Sequence, residues 1–484
     1  MVQKLTIWQQ NTNKSPACQH NLISNNYLSK KGISVIALQE PAINHLGNTI
    51  ASRNWTPIYP TKHSEDPSGT RSVTLISSAL STDSWNQMDF PSSDVTVIQL
   101  NGSWGKLTLF NIYNDGTSND TLRQLANFLH SNRDKIEHTE KGTAHVLWVG
   151  DFNRHHPYWD DPSDTRLFTN DALKAANRLI EVVADAGLEL ALPSGLPTHK
   201  HSVTKRWSRL DQVFLSDHSA NILTACDTLP EERGISTDHI PILTEINLAI
   251  AQTVAAESAP NFREVNWEEF GKELSKQLAK LPPPESITGQ RQLDKSCADL
   301  TRAIQATIDY KVPVTEITPK SKRWWTKELT QLRKTANKLG RQSYKRRRDS
   351  EHKVHEEHEE AAKKYRNTLD YTKQQHWRDW LERAEDPDIW TVQRLISAPA
   401  TDGGGVRIPT LTYKVNDETK SANTNEEKSA ALAKGFFPPK QAEGNGEARR
   451  QEPDFGQAGR ITREQILRQL KRSNRTKRQD QTVY

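Results

Sequence analysis

Eight polar residues scattered along the first half of the chain have the side-chain types to serve one reaction: Asn11, Glu40, Tyr113, Asp151, Asn153, Asp211, Asp238 and His239. Most are oxygen donors. Such a set suits a hard divalent cation, Mg²⁺ or alternatively Mn²⁺, better than zinc. The three cysteines, Cys18, Cys226 and Cys297, stand far apart with no zinc-like spacing. A hard cation polarises a phosphoryl oxygen, so the chemistry suggested is cleavage of a phosphate ester. Asp151 can orient a water or accept its proton, and Asn153 can hold a phosphate oxygen. Asp238 directly precedes His239 and can hold it charged beside a phosphate. Singly, each of these is more often a turn former or a cap. The ordered set is what carries meaning.

These residues need a frame. Residues 1–250 alternate between strand-like and helix-like runs. Short segments rich in β-branched and aromatic residues, such as "KLTIWQQ", "ISVIALQ", "KLTLFNIY", "AHVLWVG" and "LDQVFLS", predict strands. Asn11, Glu40, Tyr113 and Asp151 fall where such strands end. "HVLWVG" reads as a central strand buried on both faces. It would place Asp151 and Asn153 on one side of a groove if its pleat continued. "NDTLRQLANFLHSNRD" and "TNDALKAANRLIEVVADAG" predict helices, the second stopped at Gly187. "HHPYW", residues 155–159, reads as a groove wall.

Beyond residue 250 the character changes. "AIAQTVAAESAPNF" reads as a linker, and a helical, tryptophan-containing region follows. Trp325, Leu329, Leu332, Ala336 and Leu339 share one helical face, as do Tyr365, Leu369, Thr372, His376 and Trp380. From Lys320 to Arg348 there are 12 Lys/Arg and one acid, Glu328. The run Lys345, Arg346, Arg347 and Arg348 is a candidate for nucleic-acid phosphates, or equally a solvated face. His352, His355 and His358 have helical spacing and read as part of a solvated charged helix rather than a zinc site. "APATDGGG" and "PKQAEGNGEARRQEP" have loop composition. The hydrophobic fraction of 34% is low for a wholly globular chain of 484 residues, and the net charge is +5. No run approaches membrane-span length, and the cysteines suggest no disulfide-linked partner. A nuclear or cytoplasmic setting is expected.

The motifs "QQNTNKS", "ALQEP", "LFNIYND", "VGDFNRHHPYWD", "GLPTHK", "SRLDQVFLS" and "STDHIPI" stand in an order that resembles the endonuclease/exonuclease/phosphatase, or DNase-I-like, superfamily. Within it, the chain looks like the N-terminal AP-endonuclease-like domain of LINE-type (non-LTR) retrotransposon polyproteins, fungal ones in particular. The resemblance covers roughly residues 3–248. It implies an α/β fold, a four-layer α/β sandwich, followed by a mainly α-helical connector and a disordered tail. The corresponding parts are residues 1–250 for the nuclease and 251–280 for the linker and first connector segment. Residues 281–400 form the basic helical connector and 401–484 a largely disordered tail. By the same resemblance, Glu40 is the principal metal ligand with Asn11 beside it, and Tyr113 is a phosphate-side hydroxyl. Asp151 aligns water and Asn153 meets the scissile phosphate. Asp211 lies on the metal or the histidine side and is carried as a metal ligand. His239 contacts phosphate and Asp238 orients it. Thr198, Arg154 and His155 are carried as substrate contacts.

The implied reaction is Mg²⁺-dependent hydrolysis of one DNA strand, leaving a 3′-hydroxyl that primes reverse transcription. DNA is the implied partner, with element RNA a further candidate for the basic connector, and no membrane is involved. "ITREQILRQLKRSN" looks like the first helix leading into a reverse transcriptase, without the polymerase palm. A truncated reading frame without polymerase activity is therefore expected. Two alternatives stay open: an inert nucleic-acid-binding remnant, and a phosphodiesterase of the same superfamily acting on a small molecule or lipid.

Overall fold

The computed structural model describes residues 4–250 except 53, then 260, 262, 265–281, 289–313, 324–383, 411–415, 418–422 and 425–436. The chain divides into two compact units, Met1–Glu257 with Ile317–Pro438, and Ser258–Glu316 with Pro439–Tyr484.

In the first unit the nuclease-like part runs β1 (Leu5–Asn11), α1 (Pro16–Ile23), α2 (Asn26–Lys31), β2 (Val35–Gln39), β3 (Trp55–Ile58), β4 (Ser72–Ser77), β5 (Trp85–Met88), β6 (Val95–Gly102) and β7 (Gly105–Tyr113). It continues through α3 (Asp120–Ser131), α4 (Arg133–Glu137), β8 (Thr143–Asp151), α5 (Asn170–Asp185), β9 (Leu188–Leu190), β10 (His199–Lys200), β11 (Trp207–Ser208), β12 (Asp211–Ser216), β13 (Leu223–Thr228) and β14 (Ile242–Ile246). Two six-stranded sheets result, ordered β13-β14-β1-β2-β4-β3 and β5-β6-β7-β8-β12-β9.

The alternation of side chains along each strand builds the layers. Ile7, Val35 and Ile76 from the first sheet meet Leu109, Leu147 and Val213 from the second in one apolar core. On the outer face of the second sheet, Phe110, Trp148 and Phe214 pack with Leu122 and Leu125 of α3 and Leu179 of α5. On the outer face of the first, Trp8, Ile36 and Leu38 pack with Leu22 and Leu28. Helices therefore cover both outer faces, giving four layers. Each fully buried large side chain contributes on the order of 1.5–3 kcal/mol.

β8 lies between β7 and β12, and its last five residues are buried. Gly150 is required there, because a Cβ would stand 2.0 Å from the Ile112 carbonyl oxygen on β7. The second predicted helix is capped by Thr169, whose Oγ1 accepts from Ala172 N, and it stops at Gly187 with φ of +61°.

The same unit contains two further helices, and the second contains α6 (Trp267–Leu278) and α7 (Gln290–Lys311). α6 is capped by Asn266. α8 (Lys327–Lys345) and α9 (Val354–Glu382) form a helical hairpin. Leu329, Tyr365 and Leu369, from the two predicted faces, pack on Ile235 of the nuclease part, flanked by Trp324, Trp325 and Leu332. The stretch read as one connector over 281–400 is thus divided between the two units. Part of the segment read as a disordered tail carries regular structure: β15 (Leu411–Val415) pairs with β16 (Glu418–Ala422), followed by α10 (Asn425–Phe436). "DPDIWTVQRLIS" and "ITREQILRQLKRSN" lie outside the described residues.

Cys18, Cys226 and Cys297 are free thiols. Among the described residues, no helix is long and apolar enough to cross a membrane.

Candidate active site

Strand register sets three candidate residues side by side. On parallel β7 and β8, Tyr113 stands opposite Asp151. On antiparallel β8 and β12, Asp211 stands opposite Asp151. Directly opposed residues on neighbouring strands point to the same face, so the three form a row. Asn11 closes the row from the other sheet, its Nδ2 donating to Asp151 Oδ2 at 2.9 Å. Glu40 follows β2 with φ of +44°, half-buried, its carbonyl accepting from Thr12 Oγ1 at 2.8 Å.

Asp151 is almost wholly buried. Burial and the neighbouring Asp211 carboxylate push its pKa up to about 7, against the pull of His239 and Asn11. Asn153 N donates to Asp151 Oδ1 at 3.1 Å, and Asn153 Nδ2 donates to the Asn114 carbonyl at 3.0 Å. The expected persistence of the pleat through Asn153 does not hold. β8 ends at Asp151, and Asn153 has φ of +50°. Asparagine tolerates this left-handed conformation because its short amide bonds locally.

The partner of His239 is not its sequence neighbour. His239 Nδ1 lies 2.8 Å from Asp211 Oδ2. Asp238 Oδ1 stands 3.9 Å from the other ring nitrogen, Nε2, which also lies 3.9 Å from Asp151 Oδ2. Asp211, and not Asp238, therefore orients the imidazole through Oδ2, while Asp211 Oδ1 has no hydrogen-bond partner. Burial alone would lower the pKa of His239, but Asp211, Asp151 and Asp238 together raise it to about 10. The three carboxylates favour the charged form of the ring.

Asp238 turns instead to a residue the sequence reading passed over. His199 Nε2 lies 3.5 Å from Asp238 Oδ2, and His199 Nδ1 lies 3.1 Å from Ser208 Oγ. Burial opposes ionisation of Asp238, but His199 and His239 bring it down to about 2. Only the adjacency of His199 to Thr198 in "PTHK" could have signalled it.

Tyr113 lies under the guanidinium of Arg71, 4.9 Å from its ring centroid. Arg71 is fixed by two bonds to Asp94 and one to Asp115, all of 2.7 Å. Burial and the carboxylates of Glu40 and Asp151 hold the Tyr113 hydroxyl well above the usual phenol range. It remains a proton donor.

Two of the three predicted substrate contacts, Arg154 and Thr198, are placed differently. Arg154 is 3% exposed. Its guanidinium donates to the carbonyls of Asp115, Gly116, Asn153, Ser118 and Ala175 and to Asn119 Oδ1. It clamps two loops and has no donor left for a substrate. Thr198 is buried, and its Oγ1 accepts from the amides of Leu210 and Asp211 at 3.2 and 3.1 Å. It positions Asp211. His155 Nδ1 lies 3.3 Å from buried Asp160, which also accepts from the amide of Arg209. In the presumed groove wall, Trp159 is fully buried in the core, and Tyr158 alone of the two aromatics is exposed.

In the basic run, Arg348 pairs with Asp161 at 3.1 Å, and Arg347 lies over the ring of Tyr344. Lys345 and Arg346 are exposed. His355 Nδ1 bonds Ser343 Oγ at 2.8 Å, and His358 Nδ1 is buried. These histidines pack inward rather than lying on a solvated face. Among the described residues, two groups of three His and Asp side chains lie close enough to share one ion, Asp151, Asp211 and His239, and His199, Asp238 and His239. In the first, His239 Nδ1 is already bonded to Asp211. The remaining donors at the mouth, Glu40, Asn11 and Asp151, are all oxygens and fit a hard divalent cation.

Residues 107–243 match the family model described as endonuclease-reverse transcriptase. The α/β sandwich and the family match make residues 1–250 similar to the DNase-I-like superfamily, the matched stretch running from β7 to the start of β14. No curated protein matches the sequence. Similar solved structures include the endonuclease domain of TRAS1, a telomere-specific non-LTR retrotransposon, at 14% identity, 50% of this chain, 99% of that chain and TM-score 0.40. Another is the AP endonuclease LMAP from Leishmania major, at 13% identity, 50% and 87% coverage and TM-score 0.41. A third is an AP endonuclease from Archaeoglobus fulgidus, at 14% identity, 50% and 100% coverage and TM-score 0.37.

Proposed function

We propose that this chain is a Mg²⁺-dependent DNA endonuclease of a LINE-type retrotransposon, able also to use Mn²⁺. It hydrolyses one phosphodiester and leaves a 3′-hydroxyl suited to priming reverse transcription, in a nuclear or cytoplasmic setting. The observation that carries the reading is the convergence of Asn11, Tyr113, Asp151 and the Asp211–His239 pair from both sheets onto one mouth. Glu40 and Asn11 would hold the cation, with Asp151 beside them. When bound, it supplies Lewis-acid polarisation of a phosphoryl oxygen.

The chain's own groups do the rest. Asp151, with a pKa near neutrality, takes or orients the proton of the attacking water. The His239 cation, held by Asp211, stabilises charge that grows on the phosphate. Tyr113 keeps its proton and can donate to a phosphate oxygen. Asn153, locked by Asn114, presents a fixed contact beside Asp151. Preorganised donors of this kind need little rearrangement in the transition state.

Nicking of supercoiled plasmid in Mg²⁺ tests the reading. The wild type should convert it to open circle, and Asp151→Ala should not. Equal inertness of the two sinks it. Turnover of a small phosphodiester without nicking would favour the small-molecule alternative.

A further inference from the structure

The α8–α9 hairpin reaches the catalytic end of the nuclease. Tyr344, at the end of α8, is buried. Its hydroxyl donates to the Pro197 carbonyl at 3.0 Å and meets Thr228 Oγ1 at 3.0 Å, and its ring meets Trp207 edge-on at 5.4 Å. From α9, Glu359 Oε1 lies 3.3 Å from both Lys200 Nζ and Lys205 Nζ. These lysines stand on either side of the β10–β11 turn, so one carboxylate ties both arms. The Lys200 side chain is only 8% exposed. Exposed ion pairs contribute little, but one nearly buried lysine makes this tie more than a surface pair.

The hairpin so held is joined to the active site. Lys200 N donates to the Asp238 carbonyl at 2.9 Å, Ile240 N donates to the Thr198 carbonyl, and His199 faces the Asp238 carboxylate. Beside it lies a groove of about 830 Å³. Of the seven Lys/Arg side chains lining it, four pair with protein carboxylates, Arg166 with Asp164, Arg348 with Asp161 and the two lysines with Glu359, while Arg209 bonds backbone carbonyls and Arg347 lies over Tyr344. That pairing favours a brace over an open phosphate channel.

We propose that the α8–α9 connector is a positioning element of the nuclease. Glu359 and Tyr344 fix the β10–β11 hairpin against the Asp238–His239 loop and thereby set how precisely a DNA strand is placed for cutting. The consequence for cutting rests on the endonuclease reading; the bracing itself does not.

The test uses the full chain as wild type, Glu359→Gln and Tyr344→Phe, with two readouts. Hydrogen exchange is followed at His201 and Lys205, whose amides bond across the turn to Arg206 and His201 carbonyls, with β12 as reference. Nick positions are mapped on one end-labelled duplex in Mg²⁺. Both variants should raise hairpin exchange by roughly 3–10-fold with β12 unchanged, and should spread nicks over neighbouring phosphates. Wild-type exchange in both variants overturns the brace. Faster exchange with an unaltered nick pattern overturns its role in placement. If the wild type does not nick, the endonuclease reading and the placement role fall together, while exchange still decides the brace.

Discussion

His239 Nδ1 and Asp211 Oδ2, 2.8 Å apart, join the two β-sheets at the mouth of the site. Asp211 opens β12 of one sheet, and His239 precedes β14 of the other. The bond fixes the orientation of the imidazole, and the carboxylate favours its charged form. Asp211→Asn keeps the shape and removes the charge, so nicking should fall by about 10²–10⁴-fold. The raised pKa of His239, about 10 against 6.5, means that its stabilising contribution is complete below pH 6.5. That contribution is lost as pH rises through about 10. Melting curves of wild type and Asp211→Asn should therefore differ at pH 6 and converge above pH 10.

Asp151 carries the opposite signature, a carboxylate raised from 3.8 to about 7. Folding favours its protonated form, so a penalty develops as pH rises from 3.8 through about 7 and is constant above. Asp151→Asn should abolish nicking yet melt at or above the wild-type temperature at pH 8. The wild-type pH–rate profile should climb through about pH 7. A clear drop in stability would show that the carboxylate holds the fold rather than the chemistry.

Glu40→Gln retains size and hydrogen bonding but removes a charge from the oxygen donors. The Mg²⁺ concentration for half-maximal nicking should rise by about 10–100-fold. Chelation of the wild type should stop nicking, and added Mg²⁺ or Mn²⁺ should restore it. An unchanged Mg²⁺ requirement would remove Glu40 from the metal site.

Arg154 is a clamp by its bonds to backbone carbonyls. Arg154→Ala strands those buried acceptors and should cost about 3 kcal/mol or more in urea unfolding. Lysine should not rescue it, because it lacks the planar fork. Weakened DNA binding at unchanged stability would return Arg154 to the substrate.

Much of the frame was legible because long strands announce themselves: β1, β2, β7, β8 and β12 fall on the apolar runs that predict them. β9, β10 and β11 have two or three residues each and leave too short a pattern. The row of Tyr113, Asp151 and Asp211 needed strand register, which a single sequence does not carry. Adjacency misled at one pair. Asp238 beside His239 suggested a pair, whereas the fold brings Asp211 from 28 positions away. The resemblance carried Arg154 as a substrate contact, but past the left-handed backbone at Asn153 its guanidinium bonds loop carbonyls. His199 and Glu359 were invisible because their significance comes from partners in other elements.

The first unit is assembled from two separate stretches of chain, with residues 258–316 intervening. During synthesis both sheets can emerge complete while Ile235 still awaits Leu329, Tyr365 and Leu369. At roughly 5–20 residues per second, that apolar patch would wait about 6–25 seconds for its last covering residue. A fragment ending at residue 250 would carry the same bare patch permanently. Its solubility, as well as the precision of its cutting, would betray the missing helices.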